Sequence, residues 1–303
     1  MEFLYLLERI RVPALDELML LITRFGEELP FMVIGMVLFW CVDKYKGYYV
    51  LSVGFLGTLL NQFMKLWFRV PRPWVLDPEF KALEKAVPAA GGYSFPSGHT
   101  QCAVGTFGGI AWTVKDRFVR ITAICLAVLV PFSRMYLGVH TPLDVFTAAA
   151  IACLLLVILK PVLLGRSHRA KLLLMLGMTG AAIAYLLFVK LYQFSEGIDM
   201  NNLLSGTKNA YTLVGTMLGM LIVYILDEYW IRFPTKAVWW VQIIKVFVGI
   251  CLVLAVKEGL RTPLTALFGE YPGRSVRYFL MVLVAGFVWP LFFKLFSKIG
   301  NRE

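Results

Sequence analysis

Apolar residues in this chain come in long runs. Nine runs predict membrane-spanning helices, at approximately 28–42, 47–68, 98–115, 118–136, 141–164, 171–193, 208–227, 237–257 and 276–296. A spanning helix needs about 20 mostly apolar residues, which makes the short first run and the Gly-rich third the weakest of the set. The longest polar connection, 69–96, is rich in Pro, Asp, Glu and Lys and reads as a structured loop outside the hydrocarbon. Residues 1–27 mix acids with short apolar stretches. They lack the basic start and long apolar core of a cleavable signal and predict one or two amphipathic helices near the membrane interface. No repeat or low-complexity linker is evident.

Composition strengthens this picture. Hydrophobic residues make up 59% of the chain and charged residues 16%, with a mean hydropathy of +0.73; a soluble domain carries about 25% charged residues. So much apolar surface cannot be hidden in a core of the chain's own. The 303 residues therefore read as one polytopic membrane protein, not as two soluble domains, a disordered chain, a disulfide scaffold or a nucleic-acid module. The net charge of +11 belongs to the loops. The connections at 43–46, 115–120, 160–171 and 227–236, with the C-terminal tail, are short and basic, holding Lys44, Lys115, Arg166, Lys236 and Arg302 among others. The N-terminal segment and the loops at 69–96, 134–140, 194–209 and 258–275 hold most of the acids. The positive-inside rule makes the basic set cytoplasmic, with the N-terminus outside or lumenal and the C-terminus inside. The five cysteines, Cys41, Cys102, Cys125, Cys153 and Cys251, have neither metal-ligand nor redox spacing and read as small apolar residues with free thiols.

Against this background three polar stretches stand out, all on the non-cytoplasmic side. They are Lys65 with Arg72-Pro73, then Pro96-Ser97-Gly98-His99, then Ser133-Arg134 with His140 and Asp144. Ionisable groups near hydrocarbon are expensive and by default mark function. Lys65, Arg72 and Arg134 bring cations to one membrane face. Ser97 and Gly98 sit where a helix starts, with free backbone N–H groups, and glycine permits close approach. Arginine suits bidentate binding of phosphate oxygens. Two of the three histidines fall here. His140 and Asp144, four apart, share one side of a helix beginning near Pro142. A carboxylate on one imidazole nitrogen fixes the tautomer and frees the other to attack, while His99 can supply a proton to a leaving oxygen. No carboxylate cluster suited to magnesium accompanies them, so a metal-free phosphatase is expected, with no metal and no cofactor.

Each stretch alone has a plainer reading. Thr141-x-x-Asp144 with Pro142 is a capping-box pattern, Pro96-Ser97-Gly98 suits any helix start, and Lys65, Arg69 and Arg72 suit snorkelling anchors. For Arg69 the plain reading is preferred. For His168, in a basic loop, surface charge is expected. Arg261, Arg274 and Arg277 read as loop charge, with a lipid headgroup as the sharper alternative. The plain readings win singly and lose jointly, because all three stretches fall on one side.

Together these stretches resemble the three signature motifs of the type 2 phosphatidic acid phosphatase (PAP2) superfamily, at every signature position. The resemblance implies an all-α, polytopic transmembrane helical bundle. Its PAP2-like six-helix core would span 28–193, after an interfacial segment at 1–27 and before about three additional C-terminal spans in 194–303. It implies His140 as the nucleophile of a phosphohistidine intermediate, Asp144 as its orienting acid and His99 as the acid for the leaving group. Lys65, Arg72, Ser97, Gly98 and Arg134 would hold the phosphoryl oxygens. The expected substrate is a lipid phosphate or pyrophosphate cleaved at the extracytoplasmic face, in a bacterial plasma membrane or, alternatively, the endoplasmic reticulum lumen. Polyprenyl pyrophosphate, phosphatidate, phosphatidylglycerophosphate and sphingoid phosphates all remain open, as does a soluble sugar phosphate. A transporter would need no nucleophile with an orienting acid, and an inactive receptor would have lost one of these side chains. No nucleic-acid partner is expected, and the sequence specifies no oligomeric state.

Overall fold

Why the chain breaks where it does is visible in its helix caps. Ser97 accepts a bond from the Thr100 N–H at 3.4 Å, Asp116 from Val119 at 2.9 Å and Ser167 from Ala170 at 3.2 Å, each using a side-chain oxygen for a donor the helix leaves unpaired. The computed structural model describes residues 1–194 and 197–299, so Arg302 lies outside the described residues. Among the described residues there is no strand. The α-helices are α1 (Glu2–Arg9), α2 (Pro13–Arg24), α3 (Glu28–Val37), α4 (Lys44–Phe68), α5 (Pro73–Leu76), α6 (Gly98–Thr113), α7 (Arg117–Tyr136), α8 (Pro142–Leu163), α9 (His168–Leu191), α10 (Met200–Leu226), α11 (Trp239–Gly259), α12 (Arg261–Phe268), α13 (Glu270–Leu283) and α14 (Phe293–Phe296).

All nine apolar runs are helical, yet fewer qualify as spans. Among the described residues six stretches are long and apolar enough to cross a membrane: Arg117–Tyr136, Pro142–Leu163, His168–Leu191, Met200–Ile231, Trp239–Gly259 and Glu270–Phe296. A seventh appears if α2 and Glu28–Val42, bent by 49°, form one broken span. All six coincide with expected spans, and the broken pair takes in the run at 28–42. α6 has only 16 residues. α4 has 25, but Ser52, Asn61, Gln62 and Lys65 dilute its apolarity. The two helices that fall short are those that carry Lys65 and the Ser97–His99 stretch.

The described chain forms two compact units. One joins Met1–Ile34, Tyr49–Lys160 and Gly197–Ser205; the other joins Gly35–Tyr48, Pro161–Glu196 and Gly206–Glu303 as far as these are described. In the first unit, Ala103 and Phe107 of α6 pack on Ala123 and Val130 of α7. The two short helices expected at the N-terminus are present and bury one face on protein. Leu4 and Leu7 of α1 enter a cluster with Phe80, Met135 and Val145, and Met19 of α2 packs with Tyr136, Leu137 and Val139. Full burial of such a side chain is worth about 1.5–3 kcal/mol.

The turn between α7 and α8 is tight. Gly138 takes φ +73°, and a Cβ there would fall 2.7 Å from Arg11 Nη2 and 2.8 Å from the Phe80 ring. Arg11 donates to the Tyr136 carbonyl at 3.1 Å, clamping the N-terminal segment over this turn. α8 then starts with the expected capping box. The Thr141 N–H donates to Asp144 Oδ2 at 2.7 Å and the Asp144 N–H to Thr141 Oγ1 at 3.3 Å.

In the second unit, α10 meets α13 backbone to backbone. A Cβ on Gly215 would lie 2.0 Å from the Ser275 carbonyl oxygen, and one on Gly219 would lie 2.8 Å from Val282. This small-xxx-small approach brings membrane helices together where water-driven burial is absent. The buried Trp40 indole donates to the Ala285 carbonyl at 2.8 Å, and Lys44 pairs with Asp227 at 2.7 Å.

Candidate active site

All eight residues singled out by sequence lie in the first unit. Lys65 comes from the last turn of α4. Arg69 closes that helix with φ 52°, in the left-handed region, and turns the chain towards Arg72, where Pro73 starts α5. Ser97 caps α6, with Gly98 and His99 as its first residues. Arg134 sits in the last turn of α7, His140 in the turn after Gly138, and Asp144 in the first turn of α8. The Ser97 N–H donates to the Asp144 carbonyl at 3.1 Å, tying the start of α6 to that of α8.

The imidazole of His140 is 2% exposed. Its Nε2 faces Arg72 Nη1 at 3.0 Å. A guanidinium donates only and stays protonated, so Nε2 carries the lone pair and Nδ1 carries the hydrogen. On the Nδ1 side, Asp144 Oδ2 lies 3.5 Å away, longer than a direct hydrogen bond. The Ser94 hydroxyl lies between them, donating to Asp144 Oδ2 at 2.5 Å and sitting 3.4 Å from Nδ1. Ser94 is fully buried and is the residue that sequence reasoning missed.

Arg72 is the hub. Its Nε donates to Gly92 O, Nη1 to Val139 O and Nη2 to Gly91 O, each at 2.8 Å. Burial pushes its guanidinium down to about 10 while Asp144 opposes the fall, so it stays cationic at neutral pH. Lys65 donates to the Tyr93 carbonyl. The Gly91–Tyr93 stretch thus meets two cations with its carbonyls. It is held in turn by residues after α9. The Asn202 side chain accepts from the Tyr93 N–H at 3.0 Å, and the Asp199 N–H donates to the Tyr93 hydroxyl at 3.2 Å.

Arg134, 1% exposed, spends Nη1 on Thr23 Oγ1 at 2.8 Å, while its Nε is buried with no hydrogen-bond partner. His99 Nε2 is likewise buried without a partner. Lys65, Arg72 and Arg134 each bear electrostatically on both imidazoles. The Ser97 oxygen accepts from Thr100 as a helix cap, and its own hydrogen is left to donate. A Cβ on Gly98 would meet only Asn61 Oδ1, at 3.8 Å, so the protein does not crowd this helix start. Three cations and donors with unused capacity therefore gather about the two imidazoles, with Arg72 on the His140 lone pair. Among the described residues no group of three or more His, Cys, Asp or Glu could hold a metal ion.

Residues 46–167, which contain all of these side chains except Thr23, Asp199 and Asn202, match the PAP2 superfamily. Residues 211–302 match the transmembrane extension of PAP2 superfamily phosphatases. Phosphatidylglycerophosphatase B of Bacillus subtilis is 34% identical over 164 residues, which cover 50% of this chain and 76% of that protein. The chain belongs to the PAP2 superfamily. Undecaprenyl-diphosphatase BcrC of Bacillus subtilis is 27% identical over 144 residues, 47% of this chain and 72% of the relative. A crystal structure of a PAP2-type phosphatidylglycerolphosphate phosphatase from Bacillus subtilis shares 31% identity, covering 55% of this chain and 86% of that one with a TM-score of 0.46. As a PAP2 superfamily member with the transmembrane extension, the chain is an integral-membrane hydrolase of phosphoric esters or diphosphates.

Proposed function

We propose that this chain removes phosphate from a lipid phosphate or diphosphate at the extracytoplasmic face of a bacterial plasma membrane, through a phosphohistidine on His140. The observation that carries the reading is the His140 ring, with Nε2 towards Arg72 and Nδ1 backed by Ser94 and Asp144. In the first step Nε2 attacks phosphorus and the bond to the leaving oxygen breaks. His99 gives that oxygen a proton, for which the protein offers its Nε2 no acceptor. Lys65, Arg72, Arg134, the Ser97 hydroxyl and the Gly98 N–H hold the phosphoryl oxygens as charge redistributes. In the second step water attacks phosphorus, His99 takes its proton, and phosphate leaves as Nε2 recovers its lone pair. Arg72 covers the Nε2 lone pair in this structure, so an arriving phosphate that draws the guanidinium to itself also frees the nucleophile.

Support for a lipid comes from the relatives, whose names are those of lipid phosphatases, and support for the face comes from the loop charges. The test is phosphate release by the detergent-purified chain, with EDTA present, from polyprenyl diphosphate, phosphatidylglycerophosphate, phosphatidate, sphingosine phosphate and glucose 6-phosphate. Release from one or more lipids, undiminished by EDTA, is expected. Release from glucose 6-phosphate alone would refute the lipid assignment, and loss with EDTA restored by magnesium would refute the metal-free mechanism.

Ser94 gives a finer prediction. Its bond to an ionised carboxylate is of a kind worth about 1.5–3 kcal/mol, so Ser94→Ala is expected to lower kcat by roughly one to two orders of magnitude with little change in KM. Unchanged kcat would show that Asp144 acts on the ring without it.

A further inference from the structure

The second unit holds two arginines whose sequence context predicts loop charge. Arg274 and Arg277 are not in a loop. Both lie in α13, inside the apolar stretch Glu270–Phe296. Arg277 is 8% exposed. Its Nε is buried with no partner, and Nη1 reaches only the Lys257 carbonyl, at 3.4 Å. Arg274, one turn earlier, donates from Nε to Thr212 Oγ1 at 2.6 Å. The two guanidinium groups lie near one ring, 5.2 and 5.7 Å from the Tyr278 centroid. Among the described residues neither arginine has a carboxylate within ion-pair distance, and Glu258 bears on Arg277 only from further away. Two nearby acids already face lysines: Glu270 lies 3.3 Å from Lys208, and Glu258 lies 3.8 Å from Lys257.

An arginine keeps its proton at any physiological pH, and a buried charge without a counter-charge is strongly unfavourable. Within an apolar span such a group points by default to a partner that is not part of the chain. The partner must be an anion. Two guanidinium forks one helical turn apart, both close to one phenol, suit the several oxygens of a phosphate better than a single carboxylate. Basic pockets between membrane helices are also where lipid headgroups bind.

We propose that Arg274 and Arg277, with Thr212 and Tyr278, form a phosphate-binding site in the transmembrane extension, and that its ligand is the headgroup phosphate of an anionic bilayer lipid. None of these residues belongs to the catalytic constellation, so the site stands whether or not that assignment holds. It gives residues 200–303 a binding role of their own.

The test uses the full chain in a neutral detergent, carrying His140→Ala so that no probe is consumed. Thermal unfolding is followed on adding phosphatidylglycerol, diacylglycerol or inorganic phosphate, in this background and with Arg277→Gln or Arg274→Gln added. Phosphatidylglycerol is expected to raise Tm by several degrees, diacylglycerol not at all. Each arginine variant is expected to lose at least half of the lipid-induced shift, and native mass spectrometry to show one retained phospholipid lost with it. Any shift from the catalytic pocket is common to all three proteins and cancels. Inorganic phosphate reproducing the arginine-dependent shift without a lipid would overturn the headgroup as ligand. Equal lipid shifts in all three proteins would overturn the site. Should Arg277→Gln fail to fold, Arg274→Gln, on a half-buried residue, decides the same question.

Discussion

His140→Ala is expected to abolish phosphate release, by a factor on the order of 10⁴–10⁶, because removing a nucleophile removes both chemical steps at once. Background hydrolysis then depends on the cations alone. The fold should survive, since the substitution removes one buried ring and leaves its neighbours other partners: Arg72 keeps the carbonyls of Gly91, Gly92 and Val139, and Ser94 keeps Asp144. Wild type incubated with labelled substrate and quenched in alkaline SDS should carry label as an acid-labile, base-stable phosphoramidate, absent from the variant. Turnover by a well-folded His140→Ala protein would remove the nucleophile assignment.

Asp144→Asn is expected to cost less, roughly 10²–10³-fold in kcat. It keeps the size of the side chain and an oxygen for the Thr141 N–H, but loses the charge that Ser94 and the Nδ1 hydrogen face. That charge favours the Nδ1–H tautomer and stabilises the positive ring that forms as Nε2 bonds to phosphorus, which is where a triad-type carboxylate contributes. The effect should appear in kcat more than in KM, alongside a loss of stability of about 1 kcal/mol from the weakened helix cap. Wild-type kcat with the same fall in Tm would reduce Asp144 to a cap residue.

Both assignments began as patterns in the sequence, and the pattern was informative wherever the signal is local. Apolar runs gave helices, and Thr141-Pro142-x-Asp144 gave a reciprocal cap at the start of α8. Ser97 gave the cap of α6. The cations and histidines that had to be close were legible because each sits at a helix end. What escaped was tertiary. Ser94 reaches Asp144 across 50 positions, Thr23 reaches Arg134 across 111, and Arg11 reaches Tyr136 across 125. None of the three carries periodicity or a motif, since a buried hydroxyl or a clamp on a carbonyl leaves no trace in spacing. The uneven apolarity of the expected spans has a related reason. α4 and α6 gave up length or apolarity to carry polar groups, so the hydropathy of a helix and its part in the site pull in opposite directions. Arg274 falls outside the predicted span because that run begins at 276, whereas α13 starts at Glu270; Arg277, at the edge of the run, has no spacing signal that separates it from loop charge.

The bond from the Tyr93 N–H to Asn202 spans 109 positions and has a consequence for how the chain can be divided. The extension looks detachable, because its family match starts only at residue 211. The nine residues 197–205 nevertheless fold with the first unit. A truncation placed after α9 would unhook Tyr93, and with it the carbonyl stretch that meets Lys65 and Arg72. A minimal version of the catalytic half has to end beyond Ser205, or carry a substitute for Asn202. Modularity in this chain is set by where a side chain lands rather than by where a family boundary is drawn.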